Sequence, residues 1–163
     1  MNFTPALVIR PIRNEKRDLE ALARMAHELA AHDGYDSGAN TEKLAKGLFD
    51  SNKTVHCHLA ELKGEIAGFI LFYENFSIYR GEGGVFVPGL YVMPEYRKQG
   101  LGKKLMGIAA QYVKDHNRSY ISWFAEEKNE TALPLYKKWG ARMEPGWIYC
   151  LLSGEALEKM LPK

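Results

Sequence analysis

Leu90-Tyr91-Val92-Met93-Pro94-Glu95-Tyr96-Arg97-Lys98-Gln99-Gly100-Leu101-Gly102-Lys103-Lys104-Leu105-Met106 is the most informative stretch of this 163-residue chain. A β-rich run ends near Met93, a short basic loop with two glycines follows, and an amphipathic helix starts near Gly100. A loop so placed points free backbone N–H groups and the positive end of a helix dipole at one spot. That is the make-up of a phosphate site. Gly100 and Gly102 let the backbone approach such a ligand closely, and Arg97, Lys98, Lys103 and Lys104 add positive charge. Two commoner phosphate motifs do not fit. The P-loop requires a first Gly where Arg97 stands and a Ser or Thr where Lys104 stands. The dinucleotide fingerprint requires a third Gly where Leu105 stands, and the first βαβ unit is missing. On these residues alone, a basic turn capping an ordinary helix is the plain alternative.

Working outward, residues 85–93 read as a strand. Pro88-Gly89 inside it predicts a bulge or splay, because Pro has no N–H and Gly marks bends. Residues 100–116 form a helix with Leu101, Leu105, Ile108, Ala109 and Tyr112 on one stripe. Upstream, residues 54–62 and 65–73 flank Lys63-Gly64 as a hairpin. Leu19, Leu22, Ala26 and Leu29 set a helix over about residues 15–31, which Gly34 and Gly38 break. Thr41-Glu42 opens a short helix ending near Phe49, and residues 7–12 form a first strand. Downstream come a strand over 119–125 and a helix over 129–139 with Asn129 as N-cap and Gly140 as stop. A strand over 147–152 and a terminal helix over 154–161 complete the chain. The order β-α-α-β-β-β-α-β-α-β predicts an α/β fold with one mixed sheet and helices on both faces.

Composition narrows the function. A length of 163 residues, about that of one typical domain, and the lack of any repeat, low-complexity tract or linker predict one domain over residues 1–163. With 46% hydrophobic and 26% charged residues the chain is neither disordered nor fibrous. No apolar run reaches the length of a transmembrane helix, and the start has no signal-peptide pattern, so no membrane partner is expected. Cys57 and Cys150, far apart, read as reduced, buried thiols of a cytoplasmic protein. A net charge of +2 gives no argument for nucleic acid. Its distribution is uneven: residues 1–80 carry ten basic and eleven acidic side chains, residues 81–163 twelve and nine. A basic cluster in a near-neutral chain suits a small anionic ligand.

Two ordered motifs then bear a resemblance. Arg97-Lys-Gln-Gly100-Leu-Gly102, after Tyr91-Val-Met-Pro-Glu-Tyr96, resembles the Arg/Gln-x-x-Gly-x-Gly/Ala signature of the GNAT superfamily of N-acetyltransferases. Asn129-Glu-Thr-Ala-Leu-Pro-Leu-Tyr136-Lys-Lys-Trp-Gly140-Ala is similar to that family's second signature. The order of elements matches over nearly the whole chain. Within the family the nearest likeness is to the diamine and thialysine acetyltransferases, whose first helix resembles Glu28-Leu-Ala-Ala-His32-Asp33.

The resemblance implies acetyl-CoA as donor, no metal, and a small-molecule primary amine as acceptor, attacking directly in a ternary complex. It implies that strands four and five splay to admit the pantetheine arm. The backbone of Leu90, Tyr91 and Val92 would pair with that arm, and the loop Arg97, Lys98, Gln99, Gly100, Leu101, Gly102 and Lys103 would cradle the pyrophosphate. Asn129 would contact the arm, and Tyr136 would lie beside the sulfur as proton donor, a role that a phenol suits. It also implies a homodimer paired through the apolar run Trp147–Leu152. The polyamine-type members carry an acidic pair before the strand end, and here those positions are Pro88 and Gly89. The base must then come from elsewhere. Glu28 and His32 are the candidates, with Glu28, Asp33 and Tyr79 as the residues holding a cationic amine. A non-catalytic acyl-CoA-binding regulator, and an enzyme acting on a protein or peptide amine, are the alternatives.

Three further features carry plainer readings. His56-x-His58 places two imidazoles on one strand face without a Cys or carboxylate at ligand spacing, so a half-exposed strand face is expected rather than a metal site. Cys57, pointing the other way, reads as core. Tyr73, Phe76, Tyr79 and Trp123 serve either as core or as a wall for the acceptor.

Overall fold

In the computed structural model, residues 7–51 and 54–162 are described. The chain divides into two compact units, residues 1–124 and residues 125–163.

The first unit is built on a five-stranded sheet in chain order: β1 (Val8–Pro11), β2 (Val55–Leu62), β3 (Glu65–Ser77), β4 (Glu82–Val92) and β5 (Ile121–Ser122). The first four pair antiparallel, while β5 runs parallel to β4. β3 is the central strand. Its run from Ile66 to Phe72 is almost continuously apolar because helices cover both sheet faces. It extends to Ser77, four residues past the expected end, because β4 starts at Glu82 and supplies a ladder for Tyr73 through Ser77. Gly68 allows β3 and β4 to close on each other: a Cβ there would stand 2.5 Å from the Tyr91 carbonyl oxygen.

Helices α1 (Lys16–His32) and α2 (Thr41–Phe49) cover one face, and their apolar stripes account for the cluster of Leu19, Leu22, Met25 and Leu48 with Cys57, Leu59, Phe69 and Tyr91. Asn40 caps α2, its side chain accepting from Lys43 N–H at 2.9 Å. α1 stops at Gly34, whose φ of +77° lets Tyr35 N–H reach back to the Ala30 carbonyl at 2.8 Å. Helix α3 (Leu101–Asp115) lies on the other face, where the Tyr112 ring meets Phe72 and His56.

One buried charge ties α1 to the sheet. The Asp18 carboxylate is fully buried and accepts from Arg10 Nη1 at 2.6 Å, Arg10 Nη2 at 2.8 Å and Arg13 N–H at 3.0 Å. Arg10 also donates twice to Glu61 on β2. The guanidinium holds the Asp18 carboxyl below its usual range and more than offsets the opposing effect of burial.

The expected bulge in β4 is present. Leu71 pairs with Gly89 and Tyr73 with Phe86, so Phe72 alone faces Val87 and Pro88. β5 is far shorter than the expected 119–125. It pairs with β4 only at Val85 and Phe86, and beyond Ser122 there is no ladder to define a strand. Strands four and five therefore diverge, leaving residues 87–92 of β4 without a β5 partner. A short 3₁₀ turn (Pro94–Tyr96), absent from the sequence reading, links β4 to the basic loop.

The second unit contains α4 (Ala132–Lys138) and α5 (Glu155–Glu158). α4 starts later than the expected residue 129, with Thr131 and not Asn129 as its N-cap, because the Asn129 side chain, two residues ahead, accepts from Ala132 N–H at 3.0 Å; Gly140 ends the helix with φ at +86°. The expected strand over 147–152 is not formed: the apolar run suits a strand, but among the described residues no neighbouring strand supplies a ladder. Trp147, Ile148, Tyr149, Leu151 and Leu152 are all exposed. Cys150, expected to be buried, is exposed with them, whereas Cys57 is buried as expected.

Candidate functional site

The basic loop takes a backbone shape that side chains rarely adopt. Lys98 has φ +61° and Gly100, the N-cap of α3, has φ +79°. The first helical bond of α3 is Lys104 N–H to Gly100 carbonyl at 3.1 Å, so the N–H groups of Leu101, Gly102 and Lys103 precede it. Buried Leu101 anchors this turn, while Lys98, Gln99 and Lys103 are exposed. A Cβ on Gly102 would meet nothing within 4 Å. The chain's own packing therefore does not require glycine there, whereas a ligand seated on the helix start would. Successive N–H groups in such a turn, with lysine and arginine beside them, form an anion-binding concavity.

Arg97 is the link between this loop and β4. Its Nε donates to the Val92 carbonyl at 2.9 Å, and its guanidinium carbon lies 5.4 Å from the centre of the Tyr91 ring. Tyr91 is 7% exposed and points into the α1 face. Its phenol donates to Glu28 Oε2 at 2.9 Å. Burial, and then the bond to Glu28, push the Tyr91 phenol above its ordinary range, so it stays a donor. Val92 and Leu90, on the stretch of β4 that β5 leaves unpaired, are half-buried.

The sequence-expected acceptor residues separate into two places. Glu28 and His32 lie one turn apart near the end of α1, with Asp33 next as its C-cap. His32 is exposed; Glu28 and Asp33 are half-buried. Tyr79 belongs to the β3–β4 turn and is 88% exposed. At ~3.3 Å per residue, the nine-residue step along β4 from Glu82 to Tyr91 spans roughly 30 Å, so Tyr79 is remote from Glu28 within this unit. Phe76 is exposed beside Tyr79, and Tyr73 packs on Phe86. In the second unit, Asn129 spends its side-chain oxygen on Ala132 N–H and keeps its amide NH₂, and Tyr136 packs on Trp139 with ring centres 5.6 Å apart.

Sequence reasoning gave Tyr91 only a backbone role and did not foresee its side-chain bond to Glu28, 63 positions away. The available signal was geometric: Tyr91 sits on the strand face that α1 covers, and Glu28 is on the stripe of α1 that reaches it. His56 and His58 both stack on Phe72, and burial beside His56 lowers the His58 pKa. They are packing groups. Among the described residues no cluster of three or more His, Cys, Asp or Glu side chains is arranged to hold a metal. Burial pushes the Cys57 thiol up to about 12, which leaves it inert as a nucleophile.

A sheet that opens between β4 and β5 beside a left-handed basic turn defines the class, and comparison with known proteins agrees. Residues 19–141, which run across both units, match the acetyltransferase (GNAT) family, and the chain belongs to that family. It is an acyltransferase enzyme of the N-acetyltransferase type. It is 31% identical to the thialysine N-epsilon-acetyltransferase of Sus scrofa, over 93% of this chain and 97% of that protein. It is 32% identical to the enzyme of the same name from Caenorhabditis elegans, over 86% and 89%. Among solved structures, an integron cassette protein from the mobile metagenome of V. cholerae superposes with a TM-score of 0.74 at 25% identity, over 94% of this chain and 96% of that one.

Proposed function

We propose that this enzyme moves an acetyl group from acetyl-CoA to the primary amine of a small cationic molecule, as a single catalytic domain over residues 1–163. The observation that carries the reading is the left-handed turn at Lys98 and Gly100 on the N-terminus of α3, next to the unpaired stretch of β4. The pyrophosphate is assigned to Arg97, Lys98, Gln99, Gly100, Leu101, Gly102 and Lys103. The pantetheine arm is assigned to the backbone of Leu90, Tyr91 and Val92 and to the amide of Asn129. The relatives named for thialysine support a small amine acceptor.

A free amine attacks a thioester without help from a Ser or Cys nucleophile. The nitrogen forms a bond to the carbonyl carbon, the C–S bond breaks, the departing thiolate takes a proton, assigned to Tyr136, and the proton that the new amide nitrogen sheds restores the phenol. The amine must first lose its own proton. With Pro88 and Gly89 in place of the acidic pair, that proton is assigned to water relayed by Glu28 and His32, while Glu28 and Asp33 hold the cation. The protein is assigned to the cytoplasm as a homodimer, a reading that the exposed apolar run Trp147–Leu152 supports. Sedimentation at micromolar concentration tests the dimer, and a mass of 18.5 kDa would reject it.

Acetyl-CoA at about 100 times its dissociation constant should stabilise the protein by roughly 2.7 kcal/mol. Gly102→Val places a branched side chain in the open space above the helix start and should abolish that gain. Release of free CoA across a panel of amines then tests turnover. An unchanged Tm with acetyl-CoA would overturn the donor site, and binding without CoA release would make the protein a non-catalytic binder.

A further inference from the structure

We infer that Tyr91 is a positioning residue for the acceptor: its phenol holds the Glu28 carboxylate in one orientation, leaving the second oxygen to meet the incoming cation. This rests on the reading above that Glu28 faces the acceptor.

Three observations support it. The Tyr91 ring cannot wander, because it is 7% exposed in the core with Leu22, Met25 and Phe69. Its hydroxyl donates to Glu28 Oε2 at 2.9 Å, and Oε1 accepts no bond from the described residues. A glutamate on a helix surface otherwise samples several rotamers, and fixing it beforehand removes that entropy from the cost of binding. The third observation is position. Tyr91 lies on the part of β4 that β5 leaves open, and the guanidinium of Arg97 in the basic loop stands 5.4 Å from its ring centre. One buried ring is thus shared by the loop assigned to the donor and the carboxylate assigned to the acceptor. Burial and the bond to Glu28 hold the Tyr91 phenol above its ordinary range and keep its proton in place, so its part toward Glu28 is that of a fixed donor and not of an acid that gives its proton away.

The test uses the full chain and steady-state kinetics with a diamine and with a monoamine of equal length as probes. Tyr91→Phe keeps the ring and removes the hydroxyl. KM for the diamine should rise about tenfold, with the acetyl-CoA dissociation constant within about twofold of wild type, because the backbone that pairs with the arm is kept. The preference for the diamine over the monoamine should shrink by a similar factor. Glu28→Gln should raise KM for the diamine at least as much, and the double variant Y91F/E28Q should be no worse than E28Q, because the two side chains act as one unit. Glu28→Asp keeps the charge and draws the carboxylate away from the phenol without touching the core. It should reproduce the KM effect of Y91F, and it serves in its place if Y91F does not fold. If E28Q raises KM while Y91F and E28D leave it unchanged, Glu28 binds the amine unaided and the inference fails alone. If E28Q itself leaves KM unchanged, the acceptor is not held by Glu28, and both the reading and the inference fall. A lowered Tm with unchanged KM and unchanged preference in Y91F would make Tyr91 a packing residue only.

Discussion

Helix α1 carries two carboxylates that the protein treats in opposite ways. Asp18, in its first turn, is fully buried and accepts three hydrogen bonds, two from one guanidinium and one from a backbone N–H. Glu28, near its other end, is half-buried and accepts one bond, from Tyr91. A carboxylate offers about four lone-pair sites. Asp18 has spent its accessible ones on the protein and has no route to solvent, so it fastens β1, α1 and β2 together and has nothing left for a ligand. Among the described residues, Glu28 has one oxygen committed and one open. The same chemical group is a rivet in one place and a docking point in the other, and the number of donors already satisfied makes the difference.

The contrast breaks most readily at Asp18. Asp18→Asn leaves the Arg10 guanidinium, whose side chain is 13% exposed, with Glu61 as its only carboxylate partner among the described residues. Removing one partner from a buried pair costs about 3–5 kcal/mol, and urea denaturation should show a loss in that range. A smaller loss is expected from Gly68→Ala, whose Cβ would press on the Tyr91 carbonyl and shift the strand that carries the Glu28 donor. Overpacking of this kind costs about 1–3 kcal/mol, and here it should also raise the KM of the amine. A variant as stable as wild type would mean that β4 gives way there freely.

Acid pH sharpens the same comparison. The folded Asp18 carboxyl binds its proton at lower pH than it does in the unfolded chain. Its stabilisation is therefore complete above the ordinary carboxylate range and drains away as pH falls through the folded value. His58 adds a separate slope at higher pH. Its folded pKa lies below the usual imidazole value, so the unfolded chain takes up protons first and stability falls as pH drops below that usual value. Denaturation midpoints from pH 7 to pH 3 should fall, and Asp18→Asn should flatten the part of the curve below about pH 4. The smallest change in stability belongs to Glu28→Gln. A half-exposed carboxylate with one bond, replaced by an amide that still accepts from Tyr91, should cost no more than about 0.5 kcal/mol. A loss as large as that of Asp18→Asn would erase the distinction between the two acids.

Where local chemistry decides the backbone, the sequence was legible almost to the residue. Helix α2 over Thr41–Phe49 follows from its opening polar residues and apolar stripe, the Lys63-Gly64 turn sets the β2–β3 hairpin, and Pro88-Gly89 places the bulge of β4. The basic turn at 97–103 was equally readable, because lysines and glycines before an apolar helical stripe describe a helix start in their own right. The strand expected over 147–152 failed for the complementary reason. An apolar, β-prone run is only a permission to form a strand, and the ladder that makes one must come from another segment. β5 shrank to Ile121–Ser122 for the same cause.

By itself, then, the sequence determined the order of elements as far as α4, the bulge, the anion-seeking turn and the family pattern that joins Arg97–Gly102 to Asn129–Gly140. Only the tertiary structure decided which carboxylate of α1 is locked and which is open. Asp18 and Glu28 differ in sequence by one methylene and ten positions, and nothing local tells them apart. Their fates depend on Arg10, brought in by β1, and on Tyr91, brought in by β4. Those donors come from elements that reach the helix through sheet pairing, and burial and hydrogen-bond satisfaction are properties of the packed whole.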